Sequence, residues 1–182
     1  KTTLAELLAI ELPAALLRED FEGNPFLAES YVGEASARLP AQLYYLMSRV
    51  KQLARATWPG DGVAVADYGI CQDRLFAEMR LPADDFPLYE QLWDRLLPLV
   101  RPVDVLVSLD CPEEALLARI ARRGRAFEAS MDRAFLAAQR TAYAAMTGGA
   151  QCKILRVDTG SHDIRRASVR AELVKQIREM LL

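Results

Sequence analysis

The chain is poor in the residues that staple small domains together. Its three cysteines, Cys71, Cys111 and Cys152, are far apart, odd in number and without a C-x-x-C spacing. That argues against a disulfide framework or a structural zinc cluster and fits a reducing, cytoplasmic compartment. His162 is the only histidine, and no G-x-S-x-G motif accompanies it, so a Ser-His-Asp hydrolase has no support. No apolar run approaches the roughly 20 residues of a membrane span, and no signal peptide is legible. There is no long basic run. Lys and Arg number 23 against 25 Asp and Glu, a formal net charge of −2, which speaks against a protein that coats nucleic acid and leaves room only for a local basic site. Repeats, low-complexity stretches and linkers are missing too. What remains is 182 residues, 52% hydrophobic and 26% charged, the balance of one globular domain over 1–182.

Periodicity divides the chain into helices and short strands. Apolar residues at Leu4, Leu7 and Leu8 have helical spacing, and Ala14-Ala15-Leu16-Leu17 is a short apolar stretch ending near Glu19-Asp20. Asn24-Pro25-Phe26-Leu27 signals a turn into a helix. A helical stripe runs over 40–56, and Trp58-Pro59-Gly60-Asp61-Gly62 breaks it. Strands are predicted at 63–66, 103–109 and 154–157, and helices to about residue 80, over 84–100, from Pro112 into 119–125, over 131–146 and over 163–182. Strands alternating with helices indicate βαβ units and a mostly parallel sheet covered on both faces. In such sheets ligands bind beyond the carboxyl ends of the strands, where Glu19, Asp67 and Asp110 stand.

Several residue groups fit phosphate chemistry. Lys1-Thr2-Thr3 before an amphipathic helix resembles the closing half of G-x-x-x-x-G-K-[ST], in which the Lys meets phosphates and the hydroxyl binds magnesium. A solubilising helix start is the plainer alternative, because the glycines and the preceding strand are not in the chain. Arg119-Ile-Ala-Arg-Arg-Gly-Arg125 packs four guanidiniums into seven residues, suited to a transferring phosphoryl group or to a solvated helix end. Glu19 fits a general base for a hydroxyl nucleophile, and Asp67 or Asp110 fits a magnesium ligand. Each is equally an exposed strand-end carboxylate.

Taken in order, these signatures resemble the deoxyribonucleoside kinase family of P-loop phosphotransferases. The matching residues are Lys1-Thr2-Thr3; Glu19 before Asn24-Pro25-Phe26-Leu27; Leu39-Pro40-Ala41-Gln42 with Arg49; Asp67 with Asp73; Leu109-Asp110-Cys111-Pro112; and Arg119-x-x-x-Arg123-Gly-Arg125-x-x-Glu128. The resemblance implies an α/β fold with a five-stranded parallel sheet flanked by helices, whose first strand and glycine loop are expected to lie outside these residues. It implies transfer of the γ-phosphate of ATP, with Mg2+, to the 5′-hydroxyl of a deoxynucleoside in nucleotide salvage, by a homodimer. Glu19 matches the family's base. Lys1, Thr2 and Thr3 match the phosphate-binding segment, and Thr2 and Asp67 the metal ligands. Gln42, Arg49 and Asp73 match the readers of the nucleobase, and Tyr31 and Glu128 the grip on the sugar. Arg119, Arg123 and Arg125 match the arginines of a lid over 119–128, and Asp163 falls loosely where the donor base sits.

One departure stands out. Where many members of the family carry an acidic residue followed by Arg-Ser, this chain has Asp67-Tyr68-Gly69. A permanent charge is lost there; either neighbouring arginines compensate, or the catalytic details differ in this branch. The polar set Gln42, Arg49 and Asp73 points to a purine deoxynucleoside. The alternatives are a nucleoside monophosphate kinase of the thymidylate type and a non-catalytic nucleotide-binding module.

Overall fold

A computed structural model describes residues 1–33, 35–54, 62–125, 132–148 and 151–182. Eight α-helices and four β-strands alternate along the described residues. Helix α1 (Thr2–Glu11) leads to strand β1 (Ala15–Leu17), then α2 (Leu27–Val32), a 3-10 turn (Ala35–Ala37) and α3 (Arg38–Leu53). Strand β2 (Ala64–Ala66) is followed by α4 (Ile70–Arg80) and α5 (Phe86–Leu96). Strand β3 (Val105–Asp110) precedes α6 (Glu113–Arg123) and α7 (Arg133–Gly148), and β4 (Lys153–Asp158) precedes α8 (Ala167–Leu181).

The strands pair in parallel, as expected, but in two separate ladders. Strand β1 pairs with β2 in the register Leu16↔Val65, and β3 with β4 in the register Val107↔Leu155. No ladder joins β2 to β3 among the described residues, so these four strands form two parallel pairs, in keeping with a sheet whose first strand is expected outside these residues. The two inner strands are related through shared packing instead. Val65 of β2 and Val107 of β3 rest on one apolar cluster built from Leu4 and Leu8 of α1, Val157 of β4, and Leu173, Val174 and Ile177 of α8.

A second cluster holds α3, α4 and α5 together. Leu46, Val50 and Leu53 of α3 meet Ala77 of α4 and the stacked pair Tyr89 and Trp93 of α5, whose ring centroids are 6.3 Å apart. The buried stripe of α3 is Gln42, Leu46, Arg49, Val50 and Leu53, so two polar side chains occupy core positions of an otherwise apolar face. Buried Asn24 anchors the preceding loop by donating to the Ala41 carbonyl at 3.0 Å.

The boundaries have local causes. The helix predicted over 84–100 gives way after Leu96 to a 3-10 turn at Leu97–Leu99, because Pro98 supplies no amide donor. The last helix starts at Ala167, after a turn in which Arg166 N–H donates to the Asp163 carbonyl. Helix α6 carries Glu113 and Glu114 in its first turn and Arg122 and Arg123 in its last, matching its dipole, and stops at Gly124 with φ of 67°. Among the described residues no helix is long and apolar enough to cross a membrane.

Candidate active site

Three carboxylates stand at the carboxyl ends of strands, where the sequence placed them. Glu19 follows β1 by two residues, Asp67 directly follows β2, and Asp110 ends β3. Asp67 is the tie between two loops. Its Oδ1 accepts the Glu19 backbone amide at 2.8 Å, and its Oδ2 accepts the Thr2 hydroxyl at 2.7 Å. The start of α1, with its positive dipole end and unpaired amides, is thereby fixed beside the segment carrying Glu19. Thr2 and Asp67 place two hard oxygen donors together, the donor type that suits Mg2+. Asp110 has a different engagement: Arg140 of α7 grips it with Nε at 2.9 Å and Nη2 at 2.8 Å.

Behind Glu19 lies a buried polar network. Arg49 bridges two carboxylates, pairing through Nη2 with Glu19 Oε1 and through Nη1 with Asp73 Oδ2 at 2.5 Å. Asp73 is fully enclosed and also accepts from Gln42 Nε2 at 2.6 Å and from the Tyr89 hydroxyl at 2.7 Å. A buried charge is tolerated only when paired and hydrogen-bonded, and each member here supplies that condition for the next. Burial by itself pulls the Arg49 pKa down, but the Asp73 and Glu19 carboxylates outweigh it; the net direction is upward and the guanidinium stays charged. Its face is covered by aromatic rings, Tyr45 at 4.9 Å and Tyr68 at 5.6 Å.

That geometry answers the departure at Tyr68. The ring at position 68 is buried, stacks on Arg49 and donates its hydroxyl to Gln52 Oε1 at 3.2 Å. The permanent positive charge beside Glu19 comes from α3, through Arg49, and not from the strand end.

A cavity opens in front of this network. Its walls include Lys1, Thr2, Thr3, Glu19, Tyr31, Gln42, Asp67, Arg119, Arg123, Arg125 and Asp163. Most of the residues singled out in the sequence therefore face one space. Arg49 and Asp73 do not line it; they stand behind Gln42 and Glu19, 3% and 0% exposed. Tyr31 lies under the Arg80 guanidinium at 3.9 Å, and Arg125 covers the Phe21 ring at 3.8 Å. Arg119 donates to the Thr159 hydroxyl at 2.9 Å and to its carbonyl at 3.0 Å. Asp163 binds Arg165, which together with Asp163's backbone contact to that residue holds its carboxyl down at about 2. Glu128, Phe127 and Trp58 lie outside the described residues.

Sequence reasoning missed Gln72, Tyr89, Arg140 and Tyr143. Gln72 donates to Glu19 Oε1 at 3.2 Å, and Tyr143 of α7 donates to Gln72 Oε1 at 3.3 Å. Only the adjacency of Gln72 to Asp73 hinted at any of these.

Comparison with known proteins agrees with this arrangement. The family described as Deoxynucleoside kinase matches residues 1–182. A deoxyguanosine kinase of Bacillus subtilis is 28% identical over 140 residues, 75% of this chain and 67% of the relative. A deoxyadenosine kinase of Dictyostelium discoideum is 30% identical over 148 residues, 79% of this chain and 60% of the relative. The solved structure of deoxyadenosine kinase from M. mycoides with dCMP and a flexible dCDP superposes with a TM-score of 0.82 at 17% identity, over 98% of this chain and 93% of the other. At that identity the likeness shows the fold. With the whole chain matched and the P-loop kinase architecture shared, this protein belongs to the deoxynucleoside kinase family, enzymes that transfer phosphate to a nucleoside.

Proposed function

We propose that this chain transfers the γ-phosphate of ATP to the 5′-hydroxyl of a purine deoxynucleoside in nucleotide salvage, with Glu19 as general base. The observation that carries the reading is the shared cavity. The Glu19 carboxylate, the start of α1 and Arg119, Arg123 and Arg125 all face it, so an acceptor hydroxyl and a polyphosphate can meet there. In the reaction a bond forms between the 5′-oxygen and the γ-phosphorus while the bond from that phosphorus to the β–γ bridging oxygen breaks. The hydroxyl proton passes to the Glu19 carboxylate, and ADP departs.

Each half of the cavity has its task. Lys1, Thr3 and the α1 amides hold phosphate oxygens, and the lid arginines over 119–128 offset charge that spreads during transfer, with Arg119 and Arg123 nearest the chemistry. Thr2 and Asp67 would hold Mg2+, which supplies charge neutralisation on the phosphates when bound. On the acceptor side Gln42 presents its Oε1 to the nucleobase, since its Nε2 donates to the Asp73 carbonyl and carboxylate; Arg49 and Asp73 hold Gln42 and Glu19 from behind, and Tyr31 with Glu128 holds the sugar. Asp163 lies toward the donor nucleobase. The names of the relatives, deoxyguanosine and deoxyadenosine kinases, support the purine preference.

The chain acts in this reading as one domain in the cytoplasm, where free Cys71, Cys111 and Cys152 persist as thiols. Its partner is a second copy. Met47 of α3, Leu88 and Leu92 of α5, and Leu97 and Leu99 beyond it are exposed apolar residues on neighbouring elements. A solution mass of one chain would remove the dimer.

The deciding experiment is transfer of labelled phosphate from ATP to each of the four deoxynucleosides, by the parent and by Glu19→Gln. We expect the highest kcat/KM with a purine, and a loss of about 10²–10⁴-fold in kcat in the folded variant. Preference for thymidine would sink the purine assignment. Turnover of monophosphates but not nucleosides would select the monophosphate-kinase alternative.

A further inference from the structure

The Glu19 carboxylate is held by one of its oxygens. Oε1 accepts from Arg49 Nη2 and from Gln72 Nε2, while among the described residues no donor reaches Oε2. Gln72 lies in the first turn of α4 and is 4% exposed, so its amide has no choice of solvent partners. An amide has one accepting and one donating side. The Glu19 carboxylate only accepts, so Nε2 must face it, and the Tyr143 hydroxyl then donates to the free Oε1 at 3.3 Å.

Tyr143 is itself fixed. Its ring meets Phe76 edge-on, with centroids 6.2 Å apart and planes at 81°. Burial pushes its phenol well above the ordinary range, so it keeps the proton that it donates to Gln72. Arg49 alone does not set the carboxylate plane, because the terminal torsion of a glutamate is broad and roughly two-fold. A second donor, arriving from a different helix, narrows it.

We propose that Gln72, braced by Tyr143, is a positioning residue for Glu19: it pins Oε1 and leaves Oε2 turned out to take the proton of the acceptor hydroxyl. The inference rests on the reading of Glu19 as the base. It assigns a role to two residues outside every motif by which the family is recognisable in this chain, and it links α7 to the reacting oxygen through a chain of two hydrogen bonds.

The test compares kcat and the nucleoside KM in the parent, Gln72→Met, Tyr143→Phe and Glu19→Gln, with thermal melting of each. Gln72→Met is expected to lower kcat about tenfold to a hundredfold, the scale of a misplaced catalytic group, with the nucleoside KM within about threefold. Tyr143→Phe, which removes a single oxygen, should lower kcat by less with KM again held, and keeps the question answerable if Gln72→Met does not fold. Parent-like kcat in Tyr143→Phe and in folded Gln72→Met, with Glu19→Gln inactive, would overturn the positioning role and leave the base intact. A parallel loss of melting temperature and rise in KM with kcat unmoved would assign the pair to structure alone. Full turnover by Glu19→Gln would instead overturn the base reading and this inference with it.

Discussion

The acceptor side and the phosphate side of the cavity are built on opposite plans. On the acceptor side Gln42, Arg49, Gln72 and Asp73 are buried and interlocked through hydrogen bonds and an ion pair. On the phosphate side Lys1, Thr2, Arg119 and Arg123 are exposed at the ends of helices. In the proposed reading the difference follows from the ligands. A neutral nucleoside offers only shape and a few hydrogen bonds, which count most in a dry, rigid setting where an unmatched polar group is costly. A polyphosphate carries charge that attracts cations at a distance, so long solvated side chains can find it and follow it through the reaction.

Breaking the buried half should cost folding. Asp73→Ala leaves Arg49 enclosed with one carboxylate instead of two, and we expect a loss of about 3–5 kcal/mol in unfolding free energy, read by chemical denaturation. A loss under about 1 kcal/mol would show that the network relaxes freely and that the contrast between the halves is overdrawn. Breaking the exposed half should cost binding and leave the fold alone. Arg123→Ala is expected to keep stability within about 0.5 kcal/mol while kcat/KM for ATP falls about tenfold to a hundredfold. The parent's KM for ATP should also rise with added salt while its nucleoside KM holds, because exposed charges are screened and buried pairs much less. Equal salt sensitivity for both substrates would erase the distinction.

The exposed half was the easier one to read from sequence. Lys1-Thr2-Thr3 and the arginines at 119–125 are contiguous, and strand-end placement singled out Glu19 and Asp67 before any coordinates. The buried half was legible only in part. Gln42, Arg49 and Asp73 were named through resemblance, but their mutual bonding joins α3 to α4 across 24 to 31 positions. Charged residues at helical spacing ordinarily mark a solvated face, so nothing local revealed that Gln42 and Arg49 belong to the buried stripe of α3. The contact from Tyr143 to Gln72 spans 71 positions and depends on how α7 packs on α4, which periodicity does not encode. The strand register was equally out of reach, since a short apolar run does not tell which neighbour it pairs with.

The stacking of Tyr45 and Tyr68 on Arg49 gives the enzyme an optical readout of its own. Burial raises both phenols, so the rings stay neutral chromophores, 4.9 and 5.6 Å from a fixed positive charge that touches Glu19. An electric field of that proximity perturbs the tyrosine absorption band, and any ligand that draws the guanidinium away from Glu19 changes it. Near-ultraviolet difference spectra can therefore follow the acceptor side through a binding cycle with no label attached.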